Sequence, residues 1–229
     1  MNDLMFHFLP ESKTLQYKDG REVRVGETLT VEGEPILCEH GLHASPSVRD
    51  ALAFLRGPVL TVVRLGGVVL HADDKSVGTE RTCLWMKDVS QTLRIFACDC
   101  AERALLRERE AGREPDPRSW KAVEVARRFA AGEATSEELE EAWAAGATWA
   151  SGAAAEAASW AAAEAAGAAA WAAGAAGAAR AAAQAAAQAA AEAAWAAAQA
   201  AEVEWQKDHL MTLLKERDGL DLESVGNVL

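Results

Sequence analysis

The chain has 229 residues, a net charge of −12 and a pI near 4.9. This length is enough for one or two domains with hydrophobic cores of their own. The acidic balance, without any cluster of lysine and arginine, argues against nucleic acid or an anionic membrane surface as the main partner.

The chain is expected to be cytoplasmic, with no membrane interaction. Its first residues, MNDLMFHFLPESK, lack the basic and then apolar segments of a signal peptide. The alanine-rich stretches carry Glu, Gln, Arg and Gly every few residues, which is atypical of a transmembrane helix. The four cysteines are therefore expected to be reduced thiols.

The first 89 residues predict a small α+β domain. Short strands are expected at Leu4–Phe8 and Glu34–Cys38, and a helix over Ser47–Leu55 is capped by Ser47. The clearest hairpin joins two apolar runs across the Gly66–Gly67 pair, and one more strand precedes Ser90. These three strands are predicted at Val59–Leu65, Val68–Ala72 and Thr82–Val89.

Residues 90–229 predict an all-α domain. Ser90 is expected to cap a long helix, and Asp116–Pro117 begins a second one that ends at Gly132. Thr135 and Glu138 have the spacing of a capping box. The long helix carries an apolar stripe of Leu93, Phe96, Ala97, Cys100, Ala101 and Ala104.

Alanine dominates the end of this domain, with 40 of the 60 residues from Ala142 to Ala201. Trp149, Trp160 and Trp171 recur every eleven residues, which keeps their indoles near one helical face. We expect a helix from Ser136 that folds back near Gly167–Gly177 into an Ala/Trp-rich bundle. The alternative is one long helix, paired with a second copy of the chain.

The segment CEHGLHAS carries the main candidate site. Cys38, His40 and His43 have ligand chemistry suited to zinc, although zinc normally takes a fourth ligand or a water molecule. The alternatives are a catalytic histidine and a structural turn, in which Gly41 takes a positive φ and His43 binds a backbone group. The structural turn is favoured, and no metal or cofactor is expected.

Three further sets of residues have a structural interpretation as well as a functional one. Residues Cys98 and Cys100, two apart on a helix, point in different directions and cannot share a metal or a disulfide. The segment His71–Lys75 predicts a polar turn, with catalytic carboxylates as the alternative. An acidic group is either a solvated first helical turn or a docking surface for a basic partner; it includes Glu137, Glu138 and Glu141.

Two stretches resemble known families. The N-terminal part resembles an uncharacterised phage and bacterial domain with a C-E-x-G-[FL]-H core, which has no established activity. The matching positions are Tyr17, Gly20, Cys38, Glu39, Gly41, Leu42, His43 and Lys75. The C-terminal part resembles immunity proteins of bacterial toxin systems, which implies an all-α binding module. The matching positions are Phe96, Ala97, Cys100, Ala101, Glu102, Arg103, Arg118, Ala122, Glu124, Ala126 and Arg127.

The sequence as a whole favours a non-enzymatic, phage-related or immunity-like protein that binds a protein partner, with the helical part as a rigid or self-associating scaffold. The expected binding residues are Cys38, Glu39, His40, His43, Glu137, Glu138 and Glu141. One alternative is a transferase resembling ADP-ribosyltransferases, or a hydrolase, with His43 and Tyr17 in a cleft. Another is a structural assembly or filament element.

Overall fold

The structure is a computed structural model. It describes residues 4–16, 19–135, 137–139, 141–142 and 177–226, with the backbone alone for 177–195. The predicted α+β class is confirmed in this part of the chain. The tryptophans of the predicted bundle, Trp149, Trp160 and Trp171, and the predicted reversal of the chain before Gly177 lie outside the described residues.

Five strands form one antiparallel sheet in the order β1-β4-β5-β2, with β3 also paired to β5. Their bounds are β1 Leu4–Leu9, β2 Thr28–Thr30, β3 Leu42–Ala44, β4 Val59–His71 and β5 Ser76–Asp88. Just beyond β3, Ser45 exchanges two 2.8 Å backbone hydrogen bonds with Phe6 of β1. Since β3 thus meets both β1 and β5, the sheet curls back towards itself.

The predicted hairpin at Gly66–Gly67 is wrong, because β4 continues through both glycines. They form an irregularity in the β4–β5 pairing, between Gly66 and Val69, and Gly67 has a φ of +67°. The chain reverses instead where a polar turn was predicted, with the Ala72 N–H bonded to the Lys75 carbonyl at 2.8 Å. A glycine pair allows a bulge as readily as a turn, and cross-strand pairing decides between them.

The predicted strand Glu34–Cys38 is also wrong. The N–H of Ile36 bonds the carbonyl of His40 at 2.7 Å, and the N–H of His40 bonds the carbonyl of Ile36 at 2.9 Å. Cys38 takes the left-handed conformation, with φ +65°, at the apex of this loop. The apolar run is therefore a tight reversal of the chain rather than an extended segment.

Among the described residues, the helices with assigned bounds are α1 Val48–Leu52, α2 Ser90–Glu110, α3 Pro117–Ala131, α4 Gly177–Asp218 and α5 Leu222–Gly226. Three predicted caps are confirmed. Ser47 accepts from the Asp50 N–H, Asp116 accepts from the Arg118 N–H, and Gly132 ends α3 with φ +78°. The capping box is confirmed too, since Thr135 and Glu138 bond each other's backbone N–H groups.

Other helix predictions need correction. Helix α1 ends at Leu52, so Leu55 is exposed rather than part of its apolar face. Ser90 is the first helical residue of α2, and the Asp88 carboxylate accepts from its backbone N–H at 2.8 Å. The predicted stripe of α2 buries only Phe96. The buried residues of this helix are Thr92, Phe96, Cys98, Leu105 and Glu108.

The chain divides into two compact units, Met1–Phe96 with Gln206–Leu229, and Ala97–Trp205. The sequence had instead suggested a division at residues 89 and 90. Helix α2 passes from one unit to the other at Phe96, which explains why its buried face is not one continuous stripe. The C-terminal segment contributes four buried side chains to the first unit, namely Leu210, Leu214, Leu220 and Val225.

The first unit has its core on the sheet. One cluster of buried side chains consists of Leu9, Leu15, Val23, Leu29, Leu42, Val59 and Cys83. Burial of such apolar surface is the main force that stabilises a sheet of this size. In the second unit, ion pairs connect the helices. Arg127 of α3 binds Asp99 and Glu102 of α2, while Arg103 and Arg107 of α2 bind Glu202 of α4.

Within the described part of the chain, no helix combines the length and the apolar character needed to cross a membrane.

Candidate functional site

The CEHGLHAS loop is fixed by its two histidines. The backbone N–H of Cys38 donates a 2.9 Å hydrogen bond to Nε2 of His43. Because Nε2 is an acceptor there, the ring proton resides on Nδ1, which lies 3.2 Å from the carbonyl oxygen of Gly41. Burial lowers the pKa of His43, and the charges of Arg81 and Lys75 act in the same direction. His43 is therefore a neutral side chain that holds the loop.

His40 has a similar structural role. Its Nε2 lies 2.8 Å from the carbonyl oxygen of Glu32, so the ring connects the loop to the segment that leads into it. Gly41 adopts the expected positive φ, +117°, and Leu42 enters the core with 3% exposure. The interpretation of the segment as a structural turn agrees with each of these contacts.

The metal and catalytic alternatives for this loop both need a free imidazole lone pair. At His43 the Nε2 lone pair already accepts from Cys38. Among the described residues, no group of three or more His, Cys, Asp and Glu side chains is placed to hold a metal ion. Tyr17, the proposed partner of His43 in an enzymatic site, lies outside the described residues.

The loop instead presents other side chains to solvent. Cys38 and Glu39 are exposed, and Ile36 is 49% exposed although it is a large apolar residue. The Lys75 ammonium group lies 4.9 Å from the ring centroid of Phe54, and Cys38 is near enough to act on its pKa. We call the five residues Ile36, Cys38, Glu39, Phe54 and Lys75 the Lys75 surface.

The electrostatics of the Lys75 surface are mixed. The nearby Cys38 side chain raises the pKa of Lys75, and Asp74, with Oδ1 3.8 Å from Nζ, acts in the same direction. Glu32, Glu34 and Asp73 are exposed and lie close in sequence to residues of this surface. The surface thus combines apolar side chains with one cation, and acidic residues precede its members along the chain.

Sequence reasoning missed a second group of residues, inside the first unit. Arg81 of β5 is 3% exposed, and its Nη1 donates a 2.6 Å hydrogen bond to the carbonyl oxygen of His43. Burial lowers the pKa of Arg81 to about 10. His7 of β1 belongs to the same environment, because burial, Arg81 and His43 together lower its pKa well below the ordinary value.

Inward- and outward-facing side chains alternate along β5, and this pattern could have indicated that Arg81 points inwards. Val77 and Cys83 are inward-facing apolar residues, and Arg81 has the same strand parity. Burial raises the pKa of Cys83 to about 11, so its thiol remains neutral beside the guanidinium group. A charged residue on the buried face of a strand is unusual enough to mark a candidate site.

The acidic group belongs to the second unit, whereas the residues of the Lys75 surface belong to the first. Glu138 is occupied by the capping box and by Arg128, 3.3 Å away. Glu137 and Glu141 are exposed. Several residues of the immunity-like resemblance also have structural roles, since Glu102, Arg103 and Arg127 form the ion pairs between helices.

The cysteine pair of α2 behaves as the helix geometry predicts, with both thiols free. The predicted apolar stripe of α2, which includes Cys100 but not Cys98, is wrong at these two positions, however. Cys98 is buried, with 5% exposure, whereas Cys100 is half-buried. Burial raises the pKa of the Cys100 thiol to about 11, and the carboxylates of Glu202 and Asp99 add to the effect. A neutral thiol of this kind is a poor nucleophile.

Comparison of the chain with protein-family models, with curated proteins and with solved structures finds no match.

Proposed function

We propose that the chain is a non-enzymatic interaction protein that binds a basic protein partner through the Lys75 surface. The observation that carries this proposal is the hydrogen bond from the Cys38 N–H to Nε2 of His43. It commits the His43 imidazole to a structural role, while the loop backbone that carries the exposed side chains is held by hydrogen bonds.

Rigidity of the loop supports a binding role. Ile36 and His40 exchange two backbone hydrogen bonds, and His40 is further connected to Glu32. A loop that is ordered before binding loses less conformational entropy when a partner arrives. Ile36 and Phe54, 49% and 37% exposed, supply apolar contact area at the centre of such an interface.

The charge of the surface favours a basic partner. Exposed carboxylates of Glu32, Glu34 and Glu39 lie close in sequence to Ile36, and the whole chain carries a net charge of −12. Complementary charge increases the association rate and selects among partners. The exposed Glu137 and Glu141 of the second unit would contribute to the same attraction.

The helical part has a supporting role in this proposal. Helix α4 spans 42 residues and is joined to α2 by the contacts of Glu202 with Arg103 and Arg107. We assign it to a rigid scaffold that self-associates through the Ala/Trp-rich segment. The resemblance to phage-related domains and to immunity proteins supports the same biological setting.

Affinity capture with the full-length protein tests the proposal. Ile36→Asp places a charge in the Lys75 surface, whereas Val25→Asp makes the same change at another exposed position of the first unit, 57% exposed. A basic protein captured by the parent and by Val25→Asp, but lost with Ile36→Asp, is the expected result. Its association should weaken as salt is raised. Equal capture by all three proteins would refute the assignment of the surface.

A further inference from the structure

The guanidinium group of Arg81 is buried without an adequate counter-charge. Nη1 binds the His43 carbonyl at 2.6 Å, but Nη2 is buried and has no hydrogen-bond partner among the described residues. In the same part of the chain, no carboxylate lies within ion-pair distance of Arg81. Asp19 is the carboxylate whose charge acts on the pKa of Arg81. Both of its carboxylate oxygens, however, are bound to Arg21, at 2.7 and 2.8 Å.

This arrangement is energetically unfavourable for a residue with a purely structural role. A buried charge that lacks its partner destabilises the native state, and an unsatisfied buried N–H adds to that cost. An apolar side chain at the same position of β5 would continue the core formed by neighbours such as Cys83. Retention of arginine here therefore points to a ligand that supplies the missing acceptor and the missing negative charge.

The surroundings of Arg81 suit an anion. His7 and His43 lie in adjoining segments, because Phe6 and Ser45 exchange backbone hydrogen bonds between β1 and the end of β3. Both imidazoles are neutral, since the pKa of each is lowered. Neither therefore repels the guanidinium group. Both residues are less buried than Arg81.

We propose that the Arg81 guanidinium group, in the environment that it shares with His7 and His43, is the binding site for a small oxyanion, either phosphate or a carboxylate. Nη2 of Arg81 donates to an oxygen of the anion, and the buried position strengthens this charge-assisted hydrogen bond. The site is separate from the Lys75 surface in its ligand and in the residues that bind it.

Thermal unfolding of the full-length protein tests the site. The parent, Arg81→Met and Arg24→Met are compared in chloride, acetate and inorganic phosphate at equal ionic strength. Arg24 is the matched control, because its side chain is 68% exposed and pairs with Glu22. A ligand that binds only the native state raises the unfolding temperature in a saturable manner. We expect this increase with phosphate or acetate for the parent and for Arg24→Met, and its loss for Arg81→Met.

The unfolding temperature in chloride, without phosphate or acetate, provides an independent criterion. In chloride, Arg81→Met should unfold at the parent's temperature or above it, because an unpartnered buried charge has been removed. The general stabilising effect of phosphate on any protein is shared by all three chains and cancels in the comparison. Equal stabilisation of the parent and Arg81→Met by each anion, or no stabilisation of the parent beyond chloride, would overturn the proposal.

A second variant keeps the test decisive if Arg81→Met does not fold. Arg81→Lys retains the charge but lacks the second nitrogen of the guanidinium fork. Calorimetric titration with inorganic phosphate and with acetate should give an affinity roughly tenfold weaker for this variant than for the parent. The imidazole resonances of His7 and His43 should shift on titration of the parent. Unchanged affinity in Arg81→Lys, or unshifted resonances, would refute the site.

Discussion

The hydroxyl of Thr92 donates a 2.6 Å hydrogen bond to Oδ2 of Asp218, across 126 positions of sequence. Thr92 is buried, and Lys87 of β5 binds both the side chain and the backbone carbonyl of Asp218, at 3.2 and 2.9 Å. The end of α4 is thereby attached to the first unit. The N-terminal sheet consequently depends on residues from the opposite end of the chain.

Deletion of residues 206–229 should therefore unfold the sheet. The segment contributes Leu210, Leu214, Leu220 and Val225 to the core, each with 7% exposure or less. Burial of each such side chain stabilises by about 1.5–3 kcal/mol, and their sum is comparable with the whole stability of a typical domain. NMR spectra of the chain without residues 206–229 should lack the dispersed resonances of the native sheet. A shortened chain whose sheet resonances match those of the full chain would contradict this prediction.

The difference between local and distant interactions explains what the sequence could predict. Helix caps form within three residues of chain, as at Ser47, Asp116 and the Thr135–Glu138 pair. Whether a cap forms therefore depends only on its immediate neighbours in the sequence. The role of Gly66–Gly67 depended on β5, and the core role of residues 206–226 depended on elements more than a hundred positions away. Such pairings leave no short-range pattern.

In the candidate site, too, the local contacts could be predicted from the sequence and the distant contacts could not. Gly41 and His43 could be assigned to a structural turn, because a positive φ and a backbone acceptor are local requirements. The proximity of Lys75 to Cys38 and Phe54 could not be predicted, since the three residues come from a loop, a hairpin turn and the end of α1. Arg81 could have been identified only from its parity on a strand whose bounds were not predicted correctly.

The cysteines of α2 should differ in their effect on stability. Replacement of Cys98 by alanine leaves a small cavity at a buried position, which costs about 1 kcal/mol. The same change at Cys100, which is half-buried, should cost less. Urea unfolding of the two variants measures the difference, and each serves as the control for the other. A larger loss in Cys100→Ala would place Cys100, rather than Cys98, in the core.

The protein should lose stability as pH falls below about 6.5, the ordinary pKa of histidine. Native His7 and His43 have lowered pKa values, so in this region the unfolded chain binds protons that the native state does not. Each such histidine reduces the free energy of unfolding by about 1.4 kcal/mol per pH unit, until its native pKa is reached. In His7→Gln, urea unfolding between pH 7 and 5 should show a smaller pH dependence. A dependence identical to that of the parent would mean that native His7 titrates normally.

Purified protein should contain less than one zinc ion per chain. A zinc ion bound by Cys38, His40 and His43 would need the Nε2 lone pair of His43, which accepts from the Cys38 N–H. Elemental analysis after purification without chelator measures the content, and added chelator should leave the unfolding temperature unchanged. One zinc ion per chain, together with destabilisation by chelator, would establish a metal site in the loop.

The conformation of the CEHGLHAS loop depends on Gly41, and Gly26 offers a matched comparison. Both glycines have a positive φ, +117° and +85°, so alanine is strained at each position by about 1–3 kcal/mol. At Gly26 a Cβ atom meets no atom within 4 Å. At Gly41 it would collide with Cγ2 of Val77, and the carbonyl oxygen of Gly78 would be only 3.3 Å away.

Gly41→Ala should therefore be destabilised more than Gly26→Ala, because the collision adds to a similar backbone strain. Val77 is buried in β5 and opposite His43 in the β3–β5 pairing, so it has little room to move. Displacement of β3 would also weaken the hydrogen bond from Cys38 to His43, and with it the Lys75 surface. Urea unfolding compares the two variants, and the amide resonance of Cys38 reports on the loop. Equal losses of stability, with an unchanged Cys38 resonance, would show that the loop accommodates a side chain at position 41.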